Sequence, residues 1–136
     1  MDRFLMLYEE NPRFFTNILD SIKDAIFISD EKGQVLWINK TSEEILDISK
    51  NEIIGKNVQN LEKDGIFTPS VSRKALEAGK NVSIVQMMRN KRKYITTGHI
   101  VKDKNGQHIC TVAHCRDIDN VMQNTSEMDE IVKLLE

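Results

Sequence analysis

Most side chains that could build a reactive or metal-binding centre lie within one stretch. His99, His108, His114, Cys110 and Cys115 all fall between Tyr94 and Asp119, in YITTGHIVKDKNGQHICTVAHCRDID. His99 and His114 could be neighbours on adjacent strands, but a zinc site wants four ligands and no third is evident. Exposed or interface histidines are the expectation, with a pH-sensitive contact as a minor one. Cys110 and Cys115 sit five apart on one expected strand, so they point to opposite faces and neither bridge nor share a metal. A reactive thiol needs positive neighbours, yet His114 and Arg116 point away from Cys115, which reads as a buried, inert thiol. Gly55-Lys56-Asn57 lacks the leading glycine and the hydroxyl of a phosphate-binding loop. The basic run Arg89, Lys91, Arg92, Lys93 lies at a hairpin tip without an aromatic platform, which implies a solvated turn and no direct nucleic-acid contact. No nucleophile stands beside a base, so the chain is not read as an enzyme; a small free-standing enzyme is the alternative from another class.

The chain has 136 residues, 40% apolar and 29% charged, with net charge -2. That is enough for one domain with a core, and it gives no electrostatic drive toward nucleic acid or anionic lipid. The N-terminal apolar run is too short for a signal peptide, and no stretch could span a bilayer. Unpaired cysteines fit a reducing, cytoplasmic setting.

The elements that must hold these residues follow from patterning. Asn105-Gly106 between two β-branched runs predicts a hairpin of Tyr94 to Val101 with Ile109 to Arg116. Ala25 to Ser29 and Val35 to Ile38 predict another, turned by Asp30 to Gln34. Asn81 to Met88 reads as a further strand. An amphipathic helix spans Asp2 to Glu10, and Asn11-Pro12 opens a second to about Ile22. Capping boxes at Thr41-Glu44 and Ser49-Glu52, and Thr68-Pro69, open short helices. The expected fold is α+β, a five-stranded antiparallel sheet with helices inserted between strands two and three. A pocket between sheet and inserted helices is the expected ligand location.

This order of elements resembles the PAS sensor family. The residues that carry the likeness are Ala25-Ile26-Phe27-Ile28-Ser29-Asp30 with Gly33, Val35-Leu36-Trp37-Ile38-Asn39, Glu52-Ile53-Ile54-Gly55-Lys56, the terminal hairpin, and Asp117-Ile118-Asp119. The last looks like the family's strand-end Asp-Ile-Thr, with Asp119 as a serviceable helix cap in place of Thr. Gly65 to Ser72, Leu76 to Lys80 and Thr96-Thr97-Gly98-His99 resemble the PAS input modules of bacterial sigma-54-dependent transcription activators. The resemblance implies a helix over 1–14, a sensory domain over 15–119 and the start of a signalling helix over 120–136. It also implies ATPase and DNA-binding domains downstream in a longer chain. The input module of a sensor histidine kinase is the alternative.

Flavin is not expected. The family's flavin-binding light sensors carry a reactive Cys where Val58 stands and a Gln where Cys115 stands. Haem is not expected either, because haem-binding members place a His on the helix before the third strand, and Pro69 to Gly79 has none. Strand alternation with the family pattern puts Phe27, Tyr94, Thr96, Gly98, Thr111, Ala113 and Cys115 toward the helices, a lining for a small, moderately polar ligand or a closed core. Asp117, Ile118 and Asp119 form the signal junction. Ile118, Val121, Thr125, Met128, Val132 and Leu135 follow coiled-coil spacing, and with Phe4, Leu7, Phe14 and Ile18 they imply a homodimer. The competing reading of the last helix is an amphipathic helix folded back on its own sheet.

Overall fold

The computed structural model describes residues 2–118 and 125–135, apart from the side chains of 125–129. Strands β1 (Ala25–Asp30), β2 (Val35–Ile38), β3 (Phe67–Thr68), β4 (Val82–Met88), β5 (Lys93–Lys102) and β6 (His108–Asp117) form one sheet in the order β2-β1-β6-β5-β4-β3. Every neighbouring pair is antiparallel. Helices α1 (Arg3–Glu10) and α2 (Phe14–Ser21) precede the sheet. Helices α3 (Lys40–Leu46), α4 (Lys50–Ile53), α5 (Val58–Lys63) and α6 (Val71–Ala78) lie between β2 and β4, and α7 (Thr125–Leu135) follows β6.

The sheet has six strands where five were expected. The extra strand, β3, is two residues long and pairs Phe67 with Met88 and Thr68 with Met87. Two residues carry no alternation, so only the pairing itself defines the strand. The helix expected from Thr68-Pro69 begins later, because Ser70 is its cap and its Oγ accepts from the Arg73 N–H at 3.1 Å.

The β1–β2 and β5–β6 hairpin turns use one device. Asp30 Oδ1 accepts from the N–H groups of Lys32 and Gln34, and Asp103 Oδ1 from those of Asn105 and Gln107. The glycines at the fourth position, Gly33 and Gly106, have φ of 86° and 81°, where a side chain would be strained. In the Asn105-Gly106 pair only the glycine takes the left-handed conformation. The turn is therefore a longer loop closed by an aspartate.

Asn39 staples the front of the domain. It is fully buried. Its Oδ1 accepts from the Ile26 N–H at 2.9 Å and the Ser42 N–H at 3.0 Å, while its Nδ2 donates to the Leu19 and Asp24 carbonyls at 2.9 and 3.0 Å. One side chain thus caps α3, binds β1 and holds the segment leaving α2. The cap expected at Thr41 sits two residues earlier. Asn11 likewise closes α1, its Nδ2 donating to the Leu7 carbonyl, rather than opening α2.

One face of the sheet and helices α3 to α6 enclose the main core, with Val35, Ile38, Ile53, Val58, Leu61 and Val71 at its centre. On the other face α7 lies back over β4, and Ile131 and Leu134 pack with Ile95 and Ile118. Arg116 Nη2 pairs with Glu130 Oε2 at 3.1 Å across that contact.

Candidate functional site

A small cavity lies between sheet and helices. Its floor is Ala25 and Phe27 from β1, Ala113 and Cys115 from β6, and Gln86 and Met88 from β4. Its roof is Ser42, Ile45 and Leu46 from α3, with Phe67, Ser70, Val71 and Ser72 from β3 and the start of α6. Alternation puts these floor residues on one face, since Phe27 pairs with Ala113 and Ala25 with Cys115. Phe27 and Phe67 meet edge to face, ring centroids 5.6 Å apart. Room for the centre of a water molecule is about 20 Å³. One bound water needs roughly 10–15 Å³ on that measure. In this conformation the cavity therefore admits water and is closed to a metabolite.

Of the residues expected to line a pocket, Phe27, Ala113 and Cys115 do so. Tyr94, Thr96, Gly98 and Thr111 are buried on the same side of the sheet, outside the cavity lining. Gly98 lies under α6. A Cβ there would sit 3.0 Å from Ala75 Cβ and 3.2 Å from the Val71 carbonyl oxygen, so its missing side chain is what lets helix and strand touch. Tyr94 sends its hydroxyl to Asn90 Nδ2 at 2.9 Å, at the β4–β5 turn. Thr96 is fully buried, and its Oγ1 has no hydrogen-bond partner among the described residues. It stands across from Cys115 in register, and it favours the thiolate there without reaching hydrogen-bond geometry to the sulfur. Burial dominates and pushes the Cys115 thiol up to about 11. Cys110, half-buried on the opposite face, is also shifted up by burial.

The start of α6 is held from outside the cavity. Glu62 on α5 accepts from Arg73 Nε at 2.7 Å and from the Ser70 N–H at 2.9 Å, and Arg73 also reaches Glu77 at 3.0 Å. The hydrogen bond from Arg73 holds the Glu62 carboxyl below the usual range, and Glu62 raises Arg73 in turn. The Ser42 hydroxyl donates to the Ile26 carbonyl at 2.8 Å. Ser42, Ser72 and Gln86 were not among the residues expected at the site. Serine-rich helix starts gave a signal, but only for capping.

At the strand end, Asp117 accepts from Arg92 Nε at 2.9 Å and Nη2 at 2.6 Å. The basic turn is thereby tied to the last residue of β6. Ile118 packs under α7, and Asp119 lies outside the described residues. Val132 and Leu135 are exposed, with half or more of their surface free, while Val121 and Met128 fall outside the described side chains. Phe4 and Ile18 are exposed, and Leu7 and Phe14 half-buried. Neither α1 nor α2 buries a residue. His114 Nε2 lies 2.9 Å from Asp24 Oδ2, and His99 is exposed. No group of three metal-ligating side chains occurs among the described residues. No helix among them is long and apolar enough to cross a membrane.

An antiparallel sheet with short helices closing a small cavity on one face, and a further helix after its last strand, defines a sensor-type α+β domain. The family model described as the PAS fold matches residues 13–123, and the chain belongs to that family. A signal-transduction and transcriptional-control protein from Clostridium beijerinckii is 27% identical over 111 residues, covering 80% of this chain and 17% of that protein. The chain thus spans less than a fifth of the relative's length. Among solved structures, an RNA-binding light-oxygen-voltage receptor superposes with TM-score 0.66 at 15% identity over 98% of this chain and 40% of its own. A PAS domain from Colwellia psychrerythraea gives 0.57 at 21% identity over 82% and 96%. These likenesses are of fold.

Proposed function

We propose that this chain is the signal-sensing and dimerisation input module of a bacterial transcriptional regulator, of the sigma-54-dependent type, and has no catalytic activity of its own. The observation that carries the reading is the joined path from cavity to output. Cys115 lines the cavity, Asp117 ends the same strand, and Arg116 on that strand grips α7 through Glu130. A ligand that shifts β6 would therefore alter how α7 sits, and coupling of this kind needs only about 1–3 kcal/mol. The Clostridium relative, named for signal transduction and transcriptional control, supports the regulatory setting. The resemblance of Gly65 to Ser72 to sigma-54 activators supports the finer assignment, with an ATPase and a DNA-binding domain as downstream partners. The module works in the cytoplasm, as a homodimer, with a small-molecule ligand and neither flavin nor haem. The narrow cavity supports leaving out flavin and haem.

Native mass spectrometry of the gently purified chain, beside the same sample denatured, tests this. The expected result is a dimer carrying extra non-covalent mass. A bare monomer would overturn the output mechanism.

A further inference from the structure

We propose that the cavity binds a small uncharged ring compound carrying one hydrogen-bond donor, of the phenol class. The proposal rests on the sensing role above and specifies its ligand.

Charge is the first argument. Among the residues lining the cavity the only titratable one is Cys115, and it is held neutral at physiological pH. An anion or cation taken into such a site would lose its hydration and find no counter-charge. The nearby guanidinium of Arg73 is already bound to Glu62 and Glu77.

Hydrogen bonding is the second. Gln86 is buried and donates Nε2 to the Pro69 carbonyl at 2.8 Å, which fixes the orientation of its amide. Its Oε1 then has no donor among the described residues. The hydroxyl of Ser72, also buried, has no partner among them either. Neither is among the fully buried unpaired atoms, which the described residues limit to Thr96 Oγ1, so each keeps some accessible surface. As residues of the cavity lining they mark where a ligand's polar group would sit. Around them the surface is apolar, and the edge-on Phe27–Phe67 pair offers ring faces.

Space is the third. About 20 Å³ does not seat a ring, so a wall must yield. Met88 is the adaptable wall, an unbranched side chain that refills a gap when the ligand leaves. Phe67 rides on the two-residue edge strand β3, the shortest strand of the sheet.

The test is an NMR titration of the 136-residue chain with phenol, benzoate and benzene at pH 7, read at the methyl signals of Met88 and Ala113. Phenol is expected to shift both saturably, with benzoate without effect. Gln86→Leu should weaken phenol about five- to tenfold while leaving benzene unchanged. Ser72→Ala, which removes only a hydroxyl, serves if that variant fails to fold. Benzoate binding as tightly as phenol would overturn the ligand class. So would silence with all three probes, the mark of a buried water only. Failure of the sensing role looks different: phenol fills the cavity, and the signals of Ile131 and Val132 in α7 do not move.

Discussion

Cys115 shows how far burial can decide the chemistry of one side chain. Its thiol lies in the cavity floor and is pushed up to about 11, so it is protonated across the physiological range and a poor nucleophile. The sign of the pH effect follows. The unfolded chain releases this proton near the ordinary value of 9.0, the folded chain near 11. Stability from this group is complete below pH 9 and is lost as pH rises toward 11, a fall on the order of 2 kcal/mol. Thermal melts of the wild type and Cys115→Ala across that window should diverge at pH 7 and converge toward pH 11. Alkylation by iodoacetamide at pH 8 should modify Cys115 only after unfolding. The opposite facing of Cys110 and Cys115 was readable from strand period alone, because alternation depends on backbone geometry. That the Thr96 hydroxyl has no partner among the described residues was not readable, because a missing partner is a property of neighbours brought from other strands.

At the scale of elements, Gly98 sets the distance between α6 and the sheet. Gly98→Ala places a methyl 3.0 Å from Ala75 and must lift the helix. We expect a loss of about 1–3 kcal/mol in urea unfolding. Ala75→Gly in the same chain should recover part of it, although the helix itself loses about 1 kcal/mol from a glycine. Non-additivity in this double-mutant cycle is the readout. The sequence placed Gly98 on the helix side of its strand. It did not distinguish a glycine that widens a pocket from one that admits a helix, since both are the same letter in the same register. The hairpins were legible for the reverse reason: their aspartates and glycines bond within five residues. Short helix starts were less so. Asn39, Thr41 and Ser42 are all acceptable caps, and the choice fell to Asn39 because it also reaches the Leu19 and Asp24 carbonyls. β3 was missed because strand pairing with Met87 and Met88 is its only signature.

At the scale of the whole molecule, α1 and α2 turn apolar side chains to solvent. Phe4, Tyr8, Phe15 and Ile18 are exposed on α1 and α2, where Phe4 stacks edge-on against Phe14 and Tyr8 against Phe15. Helices of eight residues are marginal on their own. In the proposed dimer they gain a second copy. Phe4→Glu with Ile18→Glu should turn the dimer into a monomer in sedimentation velocity, with the melting temperature of the domain little changed, since neither residue is buried. If Leu135→Glu alone does this, the outward stripe of α7 is the contact instead. That helix carries two adjacent stripes: Ile131 and Leu134 grip the sheet, while Val132 and Leu135 face out. Spacing revealed the outward stripe, and the competing reading, a helix folded back on its own sheet, is what Ile131 and Leu134 carry out.

The pairing of β1 with β6 has a geometric consequence. The first and last long strands are antiparallel neighbours, with Ala25 opposite Cys115. The polypeptide therefore comes in and goes out through the same doorway. Such a module can hang from the side of a helical rod as a bead on a pinched thread, adding bulk without adding length.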